Sequence, residues 1–167
     1  TSTTQSTRYA SSQDLVNLVR HKVNSSGVTT SFTYPLQLLL GGSNFQGQFV
    51  TPVELNRVDA RRILFAGGND LYESLDRGDT MTGLGLNQTV EAAVYGGTSS
   101  SVDNLDLIWA IANPSSVPKV YIRTSGGGAP AQTTGTPGTV PLRDITVDPA
   151  DWHKAYVVNQ SGQVYST

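Results

Sequence analysis

The sequence predicts an all-β protein built from repeated antiparallel sheets. Small polar residues and 17 glycines take the place of the lysine and glutamate that helical surfaces carry, and charged residues make up only 14% of the 167 residues. Short runs of branched and aromatic residues alternate with turn signals rich in Gly, Asn, Asp and Pro, which is typical of antiparallel strands. The same order of strands and turns then recurs along the chain, which predicts a repeat architecture.

The best-defined unit extends from about residue 49 to residue 88. Its predicted strands cover residues 49–55, 62–66, 71–75 and 80–84. The turn before the last strand reads Ser74-x-Asp76-x-Gly78-x-Thr80. Ser and Asp side chains can accept hydrogen bonds from backbone N–H groups within such a turn, and glycine can adopt a positive φ. We therefore interpret Ser74, Asp76, Gly78 and Thr80 as structural residues that fix a hairpin.

Three tyrosines mark the repeat. Tyr72, Tyr121 and Tyr165 each occupy a predicted third strand, and they lie 49 and 44 residues apart. Spacings of this size are typical of propeller-type and solenoid repeats. The tyrosines therefore predict three units of one kind, of which the last is incomplete.

The turn motif resembles the Asp-box (BNR repeat) of sialidase-like and xyloglucanase-like β-propellers, with Met81 where that family usually has Trp. The segment that begins Asp148-Pro149 and leads into the strand at 154–158 is similar to a second pattern of the same families. The resemblance covers residues 45–167 and implies four-stranded antiparallel blades. Closed propellers contain about four to eight blades, whereas this chain is long enough for about three.

The predicted domain organisation follows from these units. We expect residues 1–12 to be disordered or a linker and residues 13–167 to form an incomplete β-propeller. Its blade units are expected at about 13–48, 49–88, 89–140 and 141–167, the last of them truncated. Residues 13–23 fit a helical stripe as well as strand alternation, and we favour strands. The remaining blades are expected to come from a longer parent protein or from another chain.

Composition excludes several classes of function. The net charge of -2 provides no basic field for nucleic acid, and no apolar run is long enough to insert into a membrane. Cysteine is absent, and His21 and His153 are far apart in sequence, so we expect no metal site and no cofactor. The composition instead favours an exported bacterial protein located outside the cell or on its surface.

Ligand contacts are predicted on the loops at the end of the sheets opposite to the Ser74–Thr80 turn. Asn69, Asp70, Asn113 and Gln132 are the polar candidates there. The leading hypothesis is a non-catalytic segment that recognises a glycan or a protein through these loops. A purely structural or adhesive repeat is a further alternative.

The competing hypothesis is a fragment of a glycoside hydrolase, sialidase-like or xyloglucanase-like, whose catalytic carboxylates lie partly outside the segment. Glycoside hydrolysis needs two carboxylates roughly 5–10 Å apart. Asp144 and Asp148 fall on one face of a predicted strand, but Asp148 precedes Pro149 and is explained more simply as the start of a turn. No catalytic residue is assigned from the sequence.

Overall fold

The computed structural model describes residues 5–34, 45–113, 117–135 and 137–166. These residues form 14 β-strands and one short 3-10 helical turn. Every strand pair is antiparallel. The predicted all-β class of antiparallel sheets is therefore confirmed.

Sheet 1 comes first in the chain and has three strands. They are β1 (Ser6–Ala10), β2 (Val19–Val23) and β3 (Thr29–Thr33). The prediction that residues 1–12 are disordered or a linker is wrong for residues 6–10. This segment is polar, but its backbone pairs with β2, and Tyr9 packs against a buried cluster. Residues 1–4 and 35–44 lie outside the described part of the chain.

Residues 13–23, whose sequence fits both a helix and a strand, form two different elements in the structure. Gln13–Leu15 forms the 3-10 turn, and the strand β2 follows it. Leu15 and Leu18 are buried, which explains the helix-like apolar spacing. Both leucines pack towards sheet 2 from a connection, not from one helical face.

Sheets 2 and 3 each have four strands in chain order. Sheet 2 contains β4 (Val53–Leu55), β5 (Ile63–Ala66), β6 (Leu71–Ser74) and β7 (Thr82–Gly83). Sheet 3 contains β8 (Val90–Ser99), β9 (Val102–Ala112), β10 (Lys119–Arg123) and β11 (Ala131–Gln132). The third strands β6 and β10 carry Tyr72 and Tyr121.

Sheet 4 has three strands among the described residues. They are β12 (Leu142–Asp148), β13 (Asp151–Asn159) and β14 (Val164–Ser166). Tyr165 lies on β14, its third strand. The backbone joins sheets 3 and 4 through one paired position, Ser99 of β8 with Asp151 of β13. Together they form a seven-stranded sheet, but this single pair marks the border between two units.

Apolar side chains between consecutive sheets form three buried clusters. The first lies between sheets 1 and 2 and includes Leu18 and Phe65. The second, between sheets 2 and 3, includes Leu71 and Ile108, and the third, between sheets 3 and 4, includes Trp109. A sheet of three or four strands needs a packed face to be stable, so each sheet is stabilised mainly by its neighbours in the chain.

A buried ion pair adds a polar contact between sheets 2 and 3. The Arg123 guanidinium donates two hydrogen bonds to the Glu73 carboxylate, at 3.0 and 2.5 Å, and the two side chains are only 4% and 13% exposed. The Tyr95 hydroxyl donates to the same carboxylate. Arg123 also donates to the Asp106 carbonyl at 3.0 Å. The pair thus fixes how the third strands β6 and β10 face each other.

We expect Arg123→Ala to lower the free energy of unfolding by about 3–5 kcal/mol, because it leaves the Glu73 carboxylate buried without its partner. The matched control is Arg61→Ala, since Arg61 is 63% exposed and pairs with Asp59 at 2.9 Å. Exposed pairs contribute little to stability, because solvent screens them. Urea unfolding measures both values, and equal losses in the two variants would contradict the assigned role of Arg123.

Lowering the pH should weaken the contact between Glu73 and Arg123. Burial alone would raise the pKa of Glu73, but the hydrogen bonds from Arg123 and Tyr95 and the Arg123 charge lower it below its ordinary value of 4.5. The folded state therefore binds fewer protons than the unfolded state in this range. The stabilisation is complete above pH 4.5 and is lost as the pH falls through the lowered pKa.

We expect the urea midpoint of the wild type to fall more steeply below pH 4.5 than that of Glu73→Gln, which cannot titrate at this position. Midpoints measured between pH 7 and pH 3 check this. Parallel curves for the two proteins would show that Glu73 does not contribute to the acid sensitivity.

Candidate functional site

The first strands of sheets 2, 3 and 4 lie side by side. Strand β8 contacts both β4 and β12. Between these strands is a cavity of about 120 Å³ whose lining includes Glu54 of β4, Ala92 and Ala93 of β8, and Asp144 of β12. We call it the first-strand cavity. It brings two carboxyl groups from different sheets to one surface.

Local backbone irregularities position two of these residues. The pairing of β12 with β13 shifts register between Leu142 and Asp144, and that of β8 with β9 shifts between Val90 and Ala92. Such bulges change the direction in which the next side chain points, and they are frequent beside active sites. The short side chains of Ala92 and Ala93 then leave the space into which larger residues would extend.

The two carboxyl groups have different environments. Glu54 is half-buried, whereas Asp144 is exposed. Burial raises the pKa of Glu54, the Arg57 charge opposes this effect, and the Asp144 charge adds to it. A glutamate whose pKa is raised by burial can hold a proton that an exposed glutamate has lost, which is the property of a general acid. Glu54 is therefore suited to proton donation, with the Asp144 carboxyl group on the same cavity.

Asp148 does not belong to this pair. Its carboxylate accepts a hydrogen bond of 2.8 Å from the backbone N–H of Ala150 and so starts the turn between β12 and β13. Asp144 accepts a bond of 2.8 Å from the N–H of Ile145 and lines the cavity. The sequence-based pair of Asp144 and Asp148 is thus replaced by Asp144 and Glu54.

Glu54 was not predicted as a site residue. It lies between Val53 and Leu55 on a short strand, and an acidic residue in the middle of an apolar segment is a signal that could have been used. The proximity of β4 to β12 was not visible in the sequence, because these strands are about 90 residues apart in the chain.

Asp70 holds loops together. It is only 8% exposed, and its carboxylate accepts hydrogen bonds from the backbone N–H groups of Leu71, Gly85 and Leu86 at 2.7–2.9 Å, with a longer one of 3.4 Å from Asn87. These bonds connect the turn before β6 to the loop before β8. The carboxylate is therefore already occupied by backbone donors.

The other residues that were predicted to contact a ligand do not form a cluster. The Asn69 side-chain oxygen accepts bonds of 3.2 Å from the Gln46 N–H and the Tyr72 hydroxyl. Asn113 exchanges two bonds of 2.9 Å with the backbone of Leu142. Gln132 is exposed on β11, at the outer edge of sheet 3. The structure does not gather these residues with Asp70 into one site.

The Ser74–Thr80 turn is tied by its own side chains. The Asp76 carboxylate accepts bonds of 2.7 Å from the Thr80 N–H and hydroxyl, and one of 2.9 Å from the Ser74 hydroxyl. The Ser74 oxygen accepts a bond of 2.7 Å from the N–H of Gly78, whose φ is +86°. All four residues thus contribute to one compact hairpin.

A second, larger cavity offers few polar groups for binding or catalysis. Its volume is about 410 Å³, and it lies between sheets 3 and 4 beside Val120, Val157 and Tyr165. Its lining is mainly apolar. In the described part of the chain, no three His, Asp or Glu side chains are grouped as metal ligands, and no helix is long and apolar enough to cross a membrane.

Similarity to known proteins is visible at the level of structure. The crystal structure of an ancestral GH74 enzyme matches with a TM-score of 0.66 and 12% sequence identity. The match covers 96% of this chain and 21% of that enzyme, so the chain spans about a fifth of its length. The chain folds as part of a β-propeller. No family model and no curated protein sequence matches it.

Sheets 2 and 3 correspond to four-stranded blades of a propeller. Strands β4, β8 and β12 are then the first strands of successive blades. Pro52 and Ala66 also line the first-strand cavity. Because β5 and β6 run antiparallel, these two residues lie at the end of sheet 2 opposite to the Ser74–Thr80 turn. The cavity therefore extends to the end of sheet 2 that carries the loops around residues 67–70 and 85–89.

We expect Asp70→Ala to lower the free energy of unfolding by roughly 1–3 kcal/mol, because buried backbone donors lose their acceptor. Gln132→Ala is the control, since its exposed side chain forms no hydrogen bond or ion pair with the residues that the structure describes, and its loss should change stability by less than about 0.5 kcal/mol. Chemical denaturation measures both. An Asp70→Ala protein as stable as the control would contradict the role of Asp70 in holding the loops.

Proposed function

We propose that this protein is a polysaccharide-binding segment of a glycoside hydrolase, in which Glu54 and Asp144 are carboxyl groups of the active site. The observation that carries the proposal is the meeting of a half-buried glutamate and an exposed aspartate in the first-strand cavity. The similar solved structure is that of a glycoside hydrolase with a propeller fold, which supports the same class of substrate. The Asp-box resemblance agrees with this class.

In the proposed mechanism Glu54 is the proton donor. Its raised pKa keeps the carboxyl group protonated at a higher pH than an exposed glutamate, so that it can protonate the leaving oxygen of a glycosidic bond. Asp144 supplies negative charge on the other side of the cavity, as a base for water or as an electrostatic stabiliser. The cavity itself holds about one sugar-sized group, and the glycan extends over the adjacent loops.

Further parts of the proposal concern the whole protein. The remaining blades would come from the parent protein or from another chain, and they would supply the rest of the glycan cleft. A polysaccharide substrate would favour an extracellular or cell-surface location, since these polymers do not enter cells. The non-catalytic hypothesis has no comparable support from the loops, because Asp70 and Asn113 are engaged with the backbone.

We expect Glu54→Gln to reduce the release of reducing ends from a susceptible β-glucan, such as xyloglucan, by about 10²–10⁴-fold while glycan binding is retained. The amide keeps the size of the side chain but cannot donate a carboxyl proton. Ala93→Trp should abolish both binding and release, because the indole fills the cavity. Affinity electrophoresis and a reducing-end assay measure the two effects.

Asp103→Asn serves as the control for charge, since Asp103 is exposed on β9 and its carboxylate accepts a hydrogen bond of 2.7 Å from the Thr98 hydroxyl. It should leave both readouts unchanged. If the wild type and the variants bind the glycan but none of them releases reducing ends, the result would instead support the non-catalytic recognition hypothesis. Loss of release to the same degree in Asp103→Asn would contradict a specific role for Glu54.

A further inference from the structure

A second polar groove lies between sheet 1 and the Ser74–Thr80 turn, away from the first-strand cavity. Its volume is about 450 Å³. Its described lining residues are Gln5, Thr7, Arg20, Lys22, Arg77 and Asp79. All six are polar, and we call this feature the basic groove. Thr7 pairs with Lys22 across β1 and β2, and Arg20 lies two residues before Lys22, so strand alternation puts these side chains on one face.

The groove concentrates positive charge. Three of its side chains are cations and one is an anion, although the net charge of the whole chain is -2. Arg20 is paired with the Asp79 carboxylate at 3.0 Å and donates to the Arg77 carbonyl at 2.9 Å. Its side chain is only 12% exposed. One cation is therefore held rigidly, and its charge is compensated.

The other two cations are not compensated. Lys22 and Arg77 are exposed, and no described residue forms an ion pair or hydrogen bond with their charged groups. Lys22 comes from sheet 1 and Arg77 from sheet 2. Both line the same groove. They can therefore act together on one anionic group that enters between the sheets.

The backbone at Arg77 provides a separate indication. Its φ is +65°, a left-handed conformation that residues other than Gly, Asn and Asp adopt rarely. An arginine is disfavoured there relative to the right-handed region, because its Cβ approaches the following carbonyl oxygen. Strained residues of this kind cluster at ligand sites. The side chain at this point of the turn lines the groove, so the strain is located where an anion would bind.

We propose that the basic groove binds the oxyanion of an acidic polysaccharide, either the carboxylate of a uronic acid or a sulfate ester. Lys22 and Arg77 would contact the anion, and the preorganised Arg20 would direct further N–H groups towards it. The Thr7 hydroxyl and the Gln5 amide would bind sugar hydroxyl groups beside it. The groove volume of about 450 Å³ fits one or two sugar units.

A nucleic acid fits these observations less well. Phosphate backbones are bound through extended basic surfaces with many contacts, whereas two unpaired cations in a confined groove suit single charged groups. The choice of a polysaccharide rests on the proposed function, but the anion site does not depend on Glu54 or Asp144. The two proposals can therefore fail separately.

The test is isothermal titration of the purified protein with dextran sulfate, polygalacturonate and uncharged dextran. Sulfate or carboxylate recognition predicts binding of one or both anionic polymers and no heat with dextran. The comparison of the two polymers identifies which oxyanion is preferred. No binding of either polymer at low ionic strength would overturn the proposal, as would equal binding of a single-stranded oligonucleotide.

Variants localise the site. Lys22→Gln and Arg77→Asn should each weaken binding of the preferred polymer at least tenfold, whereas Lys154→Gln, which removes an exposed cation from sheet 4, should not change it. Asn tolerates a positive φ, so Arg77→Asn should be at least as stable to urea as the wild type. An equal loss of affinity in all three variants would show that the polymer is attracted by overall charge, and it would contradict a specific anion site in the basic groove. Glu54→Gln should retain full affinity.

Discussion

Burial of apolar side chains between consecutive sheets is the constraint on which the rest of the structure depends. Within the described residues, sheets 1 and 4 contribute three strands each and sheets 2 and 3 contribute four each, with sheets 3 and 4 joined by one backbone pairing. Sheets of this size need a packed apolar face, because one hydrogen-bonded layer alone removes little apolar surface from water. The three buried clusters supply that burial. The direction of this packing also brings the first strands β4, β8 and β12 together.

The polar contacts between sheets depend on that packing. Apolar packing holds the two strands in register, so that the Arg123 guanidinium can form two hydrogen bonds with the Glu73 carboxylate, and these bonds offset the cost of removing both charges from water. The first-strand cavity and the basic groove have the same origin. Both form between sheets whose spacing is set by apolar cores, so neither site could be assembled by one sheet alone.

Much of the fold could be predicted because its signals are local. Turn chemistry at Ser74–Thr80 and the recurring tyrosines give the order of the strands, and the structure has Tyr72, Tyr121 and Tyr165 on third strands. Strand β1 was missed because its stabilisation comes from backbone pairing and from distant contacts of Tyr9, which packs on a buried cluster and donates a hydrogen bond to the Arg77 carbonyl. The candidate site could not be predicted in full. The meeting of Glu54 with Asp144 depends on the packing of distant strands and on a bulge before Asp144.

The border between sheets 3 and 4 is held mainly by side chains. Ser99 and Asp151 form the backbone pairing described there, reinforced by a bond of 3.0 Å from the Ser99 hydroxyl to the Asp151 carboxylate. The Trp109 indole N–H donates a further bond of 3.1 Å to the Trp152 carbonyl, and a buried apolar cluster fills the rest of the border. The angle between these two sheets is therefore specified by a few side chains and not by a ladder of backbone hydrogen bonds. Substitutions at those positions could re-orient sheet 4, and Asp144 with it, while each sheet keeps its own strand pairing.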